Sequence, residues 1–172
     1  MMMRWLWLGL GLLVTLGQFP LWAAPARSDH AEAELVAAVG AVQPGQNLTV
    51  ALRLKLDEGW HSYWQNPGDS GLATTLQWQL PQGLSAGPIQ WPYPEYISTP
   101  PLATYGYEGE IFLLTQIKVP ARLNTKTLTL TAKTEWLECK EECLPGLATL
   151  RLTLPVGTTA PPSPWTEKLA QA

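Results

Sequence analysis

Two cysteines, Cys139 and Cys143, are the only thiol-bearing residues in this 172-residue chain. A disulfide between them would close a loop of about five residues, which the chain-entropy estimate credits with only about 2 kcal/mol of stabilisation. A domain large enough to bury a sizeable core does not depend on that contribution. The spacing therefore favours a pair that opens and closes in thiol–disulfide exchange, with a small structural disulfide as the alternative.

The residues around the two cysteines predict a pair of antiparallel strands joined by a short acidic turn. Strands are expected over Thr127 to Leu137 and Ala148 to Leu154, with the turn at residues 140–142. Facing residues of antiparallel strands have Cα atoms about 4.5 to 5.5 Å apart, and a disulfide accepts about 4.4 to 6.8 Å. The sequence therefore allows Cys139 and Cys143 to face each other.

Alternation of apolar and polar residues with a period of two dominates the chain. The clearest case runs from Asn47 to Asp57, where apolar residues occupy every second position, as in a half-buried strand. Proline- and glycine-containing turn signals separate seven to nine such segments. The pattern predicts an all-β, immunoglobulin-like antiparallel β-sandwich, with an up-and-down barrel as the alternative. Further strands are expected at Thr75–Leu80, Glu110–Val119 and Leu147–Leu154.

Both ends of the chain differ in composition from the central domain. Residues 1–26 combine Arg4, an apolar run and a small-residue pattern ending at Ala26, which is typical of a signal peptide; an uncleaved anchor is the alternative. We predict that residues 27–156 form the β-sandwich domain and residues 157–172 a proline-rich linker and short tail. In that tail Ser163 is expected to cap a short helix with Pro164 at its first position.

Charge and composition exclude several partners and ligands. The net charge is −3 and changes to −4 when Arg4 leaves with the signal peptide, and lysine and arginine form no cluster. Nucleic acid is therefore not expected as a partner. All three methionines stand at positions 1–3, so the processed protein has no thioether ligand for copper. We expect a soluble, exported protein that binds no permanent cofactor or metal.

Four segments together resemble a known family, namely the N-terminal periplasmic domain of DsbD-type transmembrane thiol:disulfide interchange proteins, including the ScsB-like reductases. The likeness covers roughly residues 29–156. It rests on the cysteine segment and on three aromatic or glycine-rich segments upstream of it, and the cysteine spacing alone would not be specific. These segments are Gly59–Gly71, Gln90–Pro92, Tyr105–Glu108 and Trp136–Gly146.

The resemblance implies a periplasmic protein-disulfide oxidoreductase with an immunoglobulin-like sandwich. Its cysteine pair would carry reducing equivalents from a thioredoxin-like or membrane-embedded donor to exported disulfide proteins, with cytochrome c biogenesis among the processes served. The domain would dock only transiently at its membrane donor. In the family the second cysteine forms the mixed disulfide, so Cys143 would attack or be attacked and Cys139 would resolve.

The resemblance also implies aromatic neighbours for the cysteine pair. His61 and Tyr63 come from the segment that supplies such side chains in the family, and the period-two alternation places them on one face of their strand. Trp60 and Trp64 would then face the core. His61 is a candidate proton donor or acceptor, and the alternative is an ordinary hydrogen-bonded histidine at a strand edge.

A short cap loop shields the cysteines in the family, and its position here corresponds to residues 103–106. Better-known members have a bulky aromatic residue where Thr104 aligns. Shielding in this chain would therefore fall to Tyr105, with Tyr107 as a second candidate, whereas ordinary packing of these tyrosines is the alternative.

Two functions of other classes remain open from the sequence. Two thiols spaced four apart and one histidine can hold a copper ion, and Cys139, Cys143 and His61 supply that set. The second is a non-catalytic immunoglobulin-like binding module with a structural disulfide. Its best exposed aromatic candidate for a ligand surface is the segment Trp91–Pro94, whose prolines favour a rigid loop.

Overall fold

Eleven strands and one helix form the part of the chain that the computed structural model describes, residues 24–99 and 101–172. The predicted signal peptide lies outside the described residues except for its last three positions. Among the described residues no helix is long and apolar enough to cross a membrane. In chain order the elements are β1 (Ala26–Arg27), β2 (Ala31–Ala37), β3 (Asn47–Leu56), β4 (His61–Gly68), β5 (Thr75–Gln79), β6 (Ser85–Ala86), β7 (Glu95–Thr99), β8 (Leu102–Glu108), β9 (Glu110–Lys118), β10 (Thr127–Cys139), β11 (Cys143–Pro155) and α1 (Thr166–Gln171).

The strands form two antiparallel sheets. The first has the order β1-β2-β3-β9-β6, and the second has the order β11-β10-β4-β8-β7. β10 also pairs with β5, along a stretch that precedes its pairing with β4. All of the strand pairs are antiparallel, and non-consecutive strands lie side by side in both sheets. This arrangement confirms the predicted immunoglobulin-like sandwich and not the barrel.

The core lies between the inner faces of the two sheets. Every second side chain of β3 from Leu48 to Leu56 is buried there, and it meets alternate side chains of β10 and β11 such as Leu130 and Leu152. Trp60 and Trp64 pack against the same core, so the predicted orientation of these two residues is correct. The alternation leaves the opposite face of β10, which carries Cys139, directed away from the core.

The C-terminal tail packs on the outer face of the first sheet. Leu169 and Trp165 form a small second cluster with Phe112, and the Arg53 guanidinium lies 5.3 Å from the centre of the Trp165 ring. The predicted Ser163 cap is wrong, because the helix begins at Thr166 without a side-chain cap bond. The Ser163 hydroxyl instead donates to the Ala37 carbonyl and accepts from the Trp165 N–H, at 2.5 and 3.0 Å.

Candidate functional site

The two cysteines end one strand and begin the next. Cys139 is the last residue of β10 and Cys143 the first of β11, and the unbroken register of the two strands places them opposite each other. They form a disulfide with their Cα atoms 4.1 Å apart. In the three-residue turn between them, the Lys140 N–H donates to the Glu142 carbonyl at 3.0 Å. The long hairpin therefore carries the disulfide at its tip.

The two halves of the disulfide differ sharply in exposure. Cys139 is 1% exposed and lies next to His61 of β4 in the sheet. Cys143, in contrast, is an exposed residue on the outer strand of the same sheet. A protein that approaches the hairpin tip therefore meets Cys143 first.

The structure brings two of the predicted neighbours, Tyr63 and His61, to the disulfide. The Tyr63 hydroxyl lies 3.5 Å from Cys143 Sγ. The ring of Tyr63 meets the His61 ring edge-on, with the two centroids 5.3 Å apart. Both side chains are buried, at 3% and 7% exposure. Cys139, His61 and Tyr63 share the outer face of the second sheet, so the contact follows from the pairing of β10 with β4.

Burial sets the protonation of both neighbours. It raises the pKa of Tyr63, an effect that Ser70 offsets in part. Burial also lowers the pKa of His61, and the nearby Glu108 carboxylate offsets this in part. At neutral pH the phenol is therefore protonated and the imidazole neutral. Tyr63 can donate a proton or a hydrogen bond to a sulfur, and His61 can accept a proton from a thiol.

Folding stability should fall on mild acidification because of His61. The unfolded chain protonates this histidine near its ordinary pKa of about 6.5, whereas the folded chain does so only at lower pH. Between those two values the unfolded state binds more protons, so stability rises with pH across that window and is lost below about 6.5. Urea unfolding at pH 7.5 and 5.0 should show a smaller acid loss for His61→Asn than for the unchanged chain. Equal losses would contradict this assignment.

The segment that was predicted to be a cap loop lies within β8. Thr104 is 1% exposed, and its hydroxyl lies 3.3 Å from the Ser70 hydroxyl. Tyr105 is 40% exposed, and its ring meets Tyr96 of β7 edge-on at 6.0 Å. Asp69 ties this part of β8 to the end of β4, since its carboxylate accepts the Ala103 N–H at 2.8 Å. Shielding of the disulfide by Thr104 and Tyr105 stays a prediction.

Glu138, immediately before Cys139, has a structural role that the sequence analysis missed. Its side chain is on the inner face of β10 and is 0% exposed. The carboxylate accepts hydrogen bonds from the Ser28 hydroxyl at 2.6 Å, the His30 N–H at 3.0 Å and Trp136 Nε1 at 3.1 Å. It thus fastens the N-terminal segment to the strand that carries Cys139. The alternation that places Trp136 in the core was the available signal, because Glu138 shares that face.

Removing the Glu138 carboxylate should destabilise the domain. In Glu138→Ala the His30 N–H and Trp136 Nε1 lose the acceptor, and the Ser28 hydroxyl keeps only the Ala31 carbonyl. We expect this loss to lower the free energy of unfolding by about 2 to 4 kcal/mol. Glu138→Gln keeps one carbonyl oxygen as an acceptor, so it should lose about half as much. Urea unfolding at pH 7 measures both. An alanine variant as stable as the unchanged chain would show that this network contributes nothing.

The residues of the copper alternative are also brought together. Cys139 lies between Cys143 and His61 in the sheet, and its sulfur is bonded to that of Cys143, so neither cysteine offers a thiolate in this state. Within residues 24–99 and 101–172, no group of three or more histidine, cysteine, aspartate or glutamate side chains is placed to hold a metal ion.

The aromatic segment of the binding-module alternative lines a groove of about 420 Å³ together with Trp64 and Ile89. Tyr93 is 97% exposed there. The Pro92 carbonyl accepts a hydrogen bond from the Tyr107 hydroxyl at 2.9 Å, which ties the segment to β8. Neither Cys139 nor Cys143 lines this groove.

Comparison with known proteins gives two findings. The family model described as "Thiol:disulfide interchange protein DsbD, N-terminal" matches residues 31–155. The crystal structure of the N-terminal periplasmic domain of ScsB from Proteus mirabilis is similar in fold, with a TM-score of 0.58 and 21% sequence identity. The match covers 84% of this chain and 53% of that one, so this chain spans about half of the solved structure. No curated protein matches.

Proposed function

Because the chain belongs to the family of N-terminal domains of the thiol:disulfide interchange protein DsbD, we propose that its Cys139–Cys143 disulfide exchanges with thiols of other proteins. The observation that carries this proposal is the difference in exposure between the two sulfur-bearing residues. Exchange by attack at sulfur needs one sulfur that a partner can reach and a neighbouring sulfur that resolves the mixed disulfide. The exposed Cys143 and the buried Cys139 supply that combination.

The proposed exchange begins with the reduced domain. The Cys143 thiolate attacks one sulfur of a partner disulfide, which forms a mixed disulfide and releases the partner's other sulfur as a thiolate. The Cys139 thiolate then attacks Cys143 Sγ, which re-forms the Cys139–Cys143 bond and releases the second partner sulfur. Two electrons pass to the partner, and its two thiolates take up the two protons that the domain's thiols gave up. A donor dithiol restores the reduced domain by the same steps in reverse.

Tyr63 and His61 support these steps in the proposal. The Tyr63 hydroxyl, 3.5 Å from Cys143 Sγ, can donate a hydrogen bond to the thiolate that forms whenever the disulfide opens. The neutral imidazole of His61, adjacent to Cys139 in the sheet, can take the proton of the resolving thiol. Thr104 and Tyr105 would limit access to the pair from the β8 side.

The partners in the proposal are proteins, and the setting is the periplasm. The domain would receive electrons from a thioredoxin-like or membrane-embedded donor, to which it docks transiently, and pass them to exported disulfide proteins. This makes it a protein-disulfide oxidoreductase that needs no cofactor, with cytochrome c biogenesis as one process to examine. The periplasmic origin of the ScsB domain supports the location.

The reduction potential of the pair tests the proposal. Alkylation of free thiols across a graded glutathione buffer, followed by mass spectrometry, measures the fraction of open disulfide. We expect a value near about −200 mV, in the range of exchange proteins, whereas a structural disulfide lies below about −300 mV. A value in that lower range would overturn the proposed function.

A further inference from the structure

An apolar groove begins two residues from Cys143 on the outer face of the second sheet. It has a volume of about 460 Å³, and its walls include Leu72, Leu137, Pro145 and Leu147. Leu147 is 71% exposed and Leu72 is 67% exposed. Clustered exposed apolar side chains are a feature of surfaces that bind other molecules.

The groove is aligned with the exposed cysteine by the geometry of β11. Cys143, Pro145 and Leu147 alternate along the strand and therefore share its outer face. Each residue advances about 3.3 Å, so Leu147 lies about 13 Å from Cys143. A protein that forms a bond to Cys143 Sγ thus brings the residues beside its own cysteine over the groove.

The backbone of β11 offers a second element of recognition at the same place. In the described part of the chain β11 pairs only with β10 and is the outermost strand of its sheet. The Val156 N–H donates to the Lys126 carbonyl at 2.8 Å, so the backbone of Val156 faces the β10 side. The carbonyl of the preceding residue, Pro155, accepts the Val42 N–H at 2.8 Å on the opposite side. The backbone groups of Pro155 therefore point outward.

The outward orientation extends along β11 to the disulfide. The register with β10 is unbroken from Pro155 to Cys143, so every second residue from Pro155, including Leu147, Pro145 and Cys143, directs its backbone away from β10. Pro145 has no N–H to donate, which is tolerated only at such an outward position. Cys143 and Leu147 thus have backbone N–H and C=O groups beside the groove that do not bond to β10.

We propose that the cysteine-bearing segment of the redox partner binds as an extended antiparallel strand along Cys143 to Leu147 and places an apolar side chain in this groove. The inference rests on the proposed function. With the partner's cysteine opposite Cys143, its residues two and four positions toward the N-terminus lie opposite Pro145 and Leu147. The partner is therefore a protein with aliphatic or aromatic residues at those positions, recognised by strand addition.

Two synthetic peptides test the apolar part of the proposal. Both contain one cysteine and are used as symmetric disulfides, with leucine in one peptide and serine in the other at the second and fourth positions before the cysteine. The reduced domain should reduce the leucine peptide about tenfold faster, since burial of even part of a leucine side chain is worth that factor. Leu147→Thr should abolish the preference and leave the rate with oxidised glutathione within about twofold. Tyr93→Thr, which changes an exposed residue outside the groove, should retain the preference.

A pair of N-methylated leucine peptides tests the strand addition. Methylation of the amide two positions before the cysteine removes the donor that would reach the Pro145 carbonyl, and it should slow exchange about fivefold. The amide three positions before the cysteine faces away from β11, so its methylation should have little effect. Equal rates for all peptides, with normal reduction of oxidised glutathione, would overturn the docking surface alone. Failure to reduce glutathione and peptides alike would overturn the proposed function itself.

Discussion

Replacing Cys143 with serine should lower the rate of disulfide exchange by roughly a thousandfold or more, because the proposed attacking sulfur is removed. Cys139 is 1% exposed and cannot replace it at a protein surface. The reciprocal variant, Cys139→Ser, should still attack through Cys143 but lack the sulfur that closes the ring. It should therefore accumulate a mixed disulfide with glutathione at Cys143, which mass spectrometry of the intact protein and of its peptides detects.

The two serine variants are matched controls for each other, since each removes one sulfur and the same disulfide. Both should lose the contribution of the disulfide, about 2 kcal/mol for a loop this short, and Cys139→Ser should lose more because its hydroxyl is buried. Urea unfolding of both variants shows that each is folded under the conditions of the exchange measurement. A mixed disulfide that forms equally fast at Cys139 in the Cys143→Ser variant would contradict the assigned order of attack.

Gly71→Ala should destabilise the domain by about 3 kcal/mol and change the surroundings of Cys143. Gly71 has a φ of +99°, and a Cβ atom there would lie 2.3 Å from the Tyr63 ring. The left-handed conformation costs about 1 to 2 kcal/mol for a non-glycine residue, and overpacking against a buried ring adds about 1 to 3 kcal/mol. Tyr63 must move, so the contact of its hydroxyl with Cys143 Sγ should be lost. Urea unfolding and the exchange rate with oxidised glutathione measure the two effects.

Gly109→Ala provides the matched control for this substitution. Gly109 has a φ of +69°, and a Cβ atom at that position meets nothing within 4 Å. It should therefore show the backbone cost of about 1 kcal/mol and an unchanged exchange rate. If Gly71→Ala behaves like Gly109→Ala in both measurements, Tyr63 is not held against the disulfide by the close packing at Gly71.

At the hairpin tip, the two faces of the second sheet make contacts with different parts of the domain. Glu138 on the inner face joins the N-terminal segment to β10, whereas Cys139 on the outer face joins β11 through the disulfide. Adjacent residues of β10 therefore link this strand to the N-terminal segment on one face and to β11 on the other. The Glu138 variants test the first connection, and the serine variants test the second.

Local sequence patterns determined much of this fold. The alternation over residues 47–57 predicted β3 almost to its ends, since β3 spans Asn47–Leu56. The same pattern predicted the hairpin of β10 and β11, although both strands continue to the cysteines themselves. Such predictions succeed because the period of two decides which side chains are buried on a sheet face, and this period is visible in the sequence.

Strands without regular alternation were harder to recognise. β2 is buried at nearly every position, because α1 and its neighbours cover the face that alternation would leave to solvent. The segment of β8 was predicted as a loop, yet it pairs with β4 and β7 on its two sides. Its pairing partners lie elsewhere in the chain, and no local pattern identifies them.

The sequence by itself determined that this is an all-β domain with one cysteine pair able to form a disulfide across a hairpin. Only the tertiary structure decided which sulfur-bearing residue is exposed, because the pairing of β10 with β4 buries Cys139 and leaves Cys143 on the outermost strand. It likewise decided that Leu72 and Leu147, far apart in the chain, line one groove. The exposure of a side chain and the shape of a groove depend on strands that meet only when the sheets assemble. The alternation of buried and exposed side chains, in contrast, is visible in the sequence of each strand.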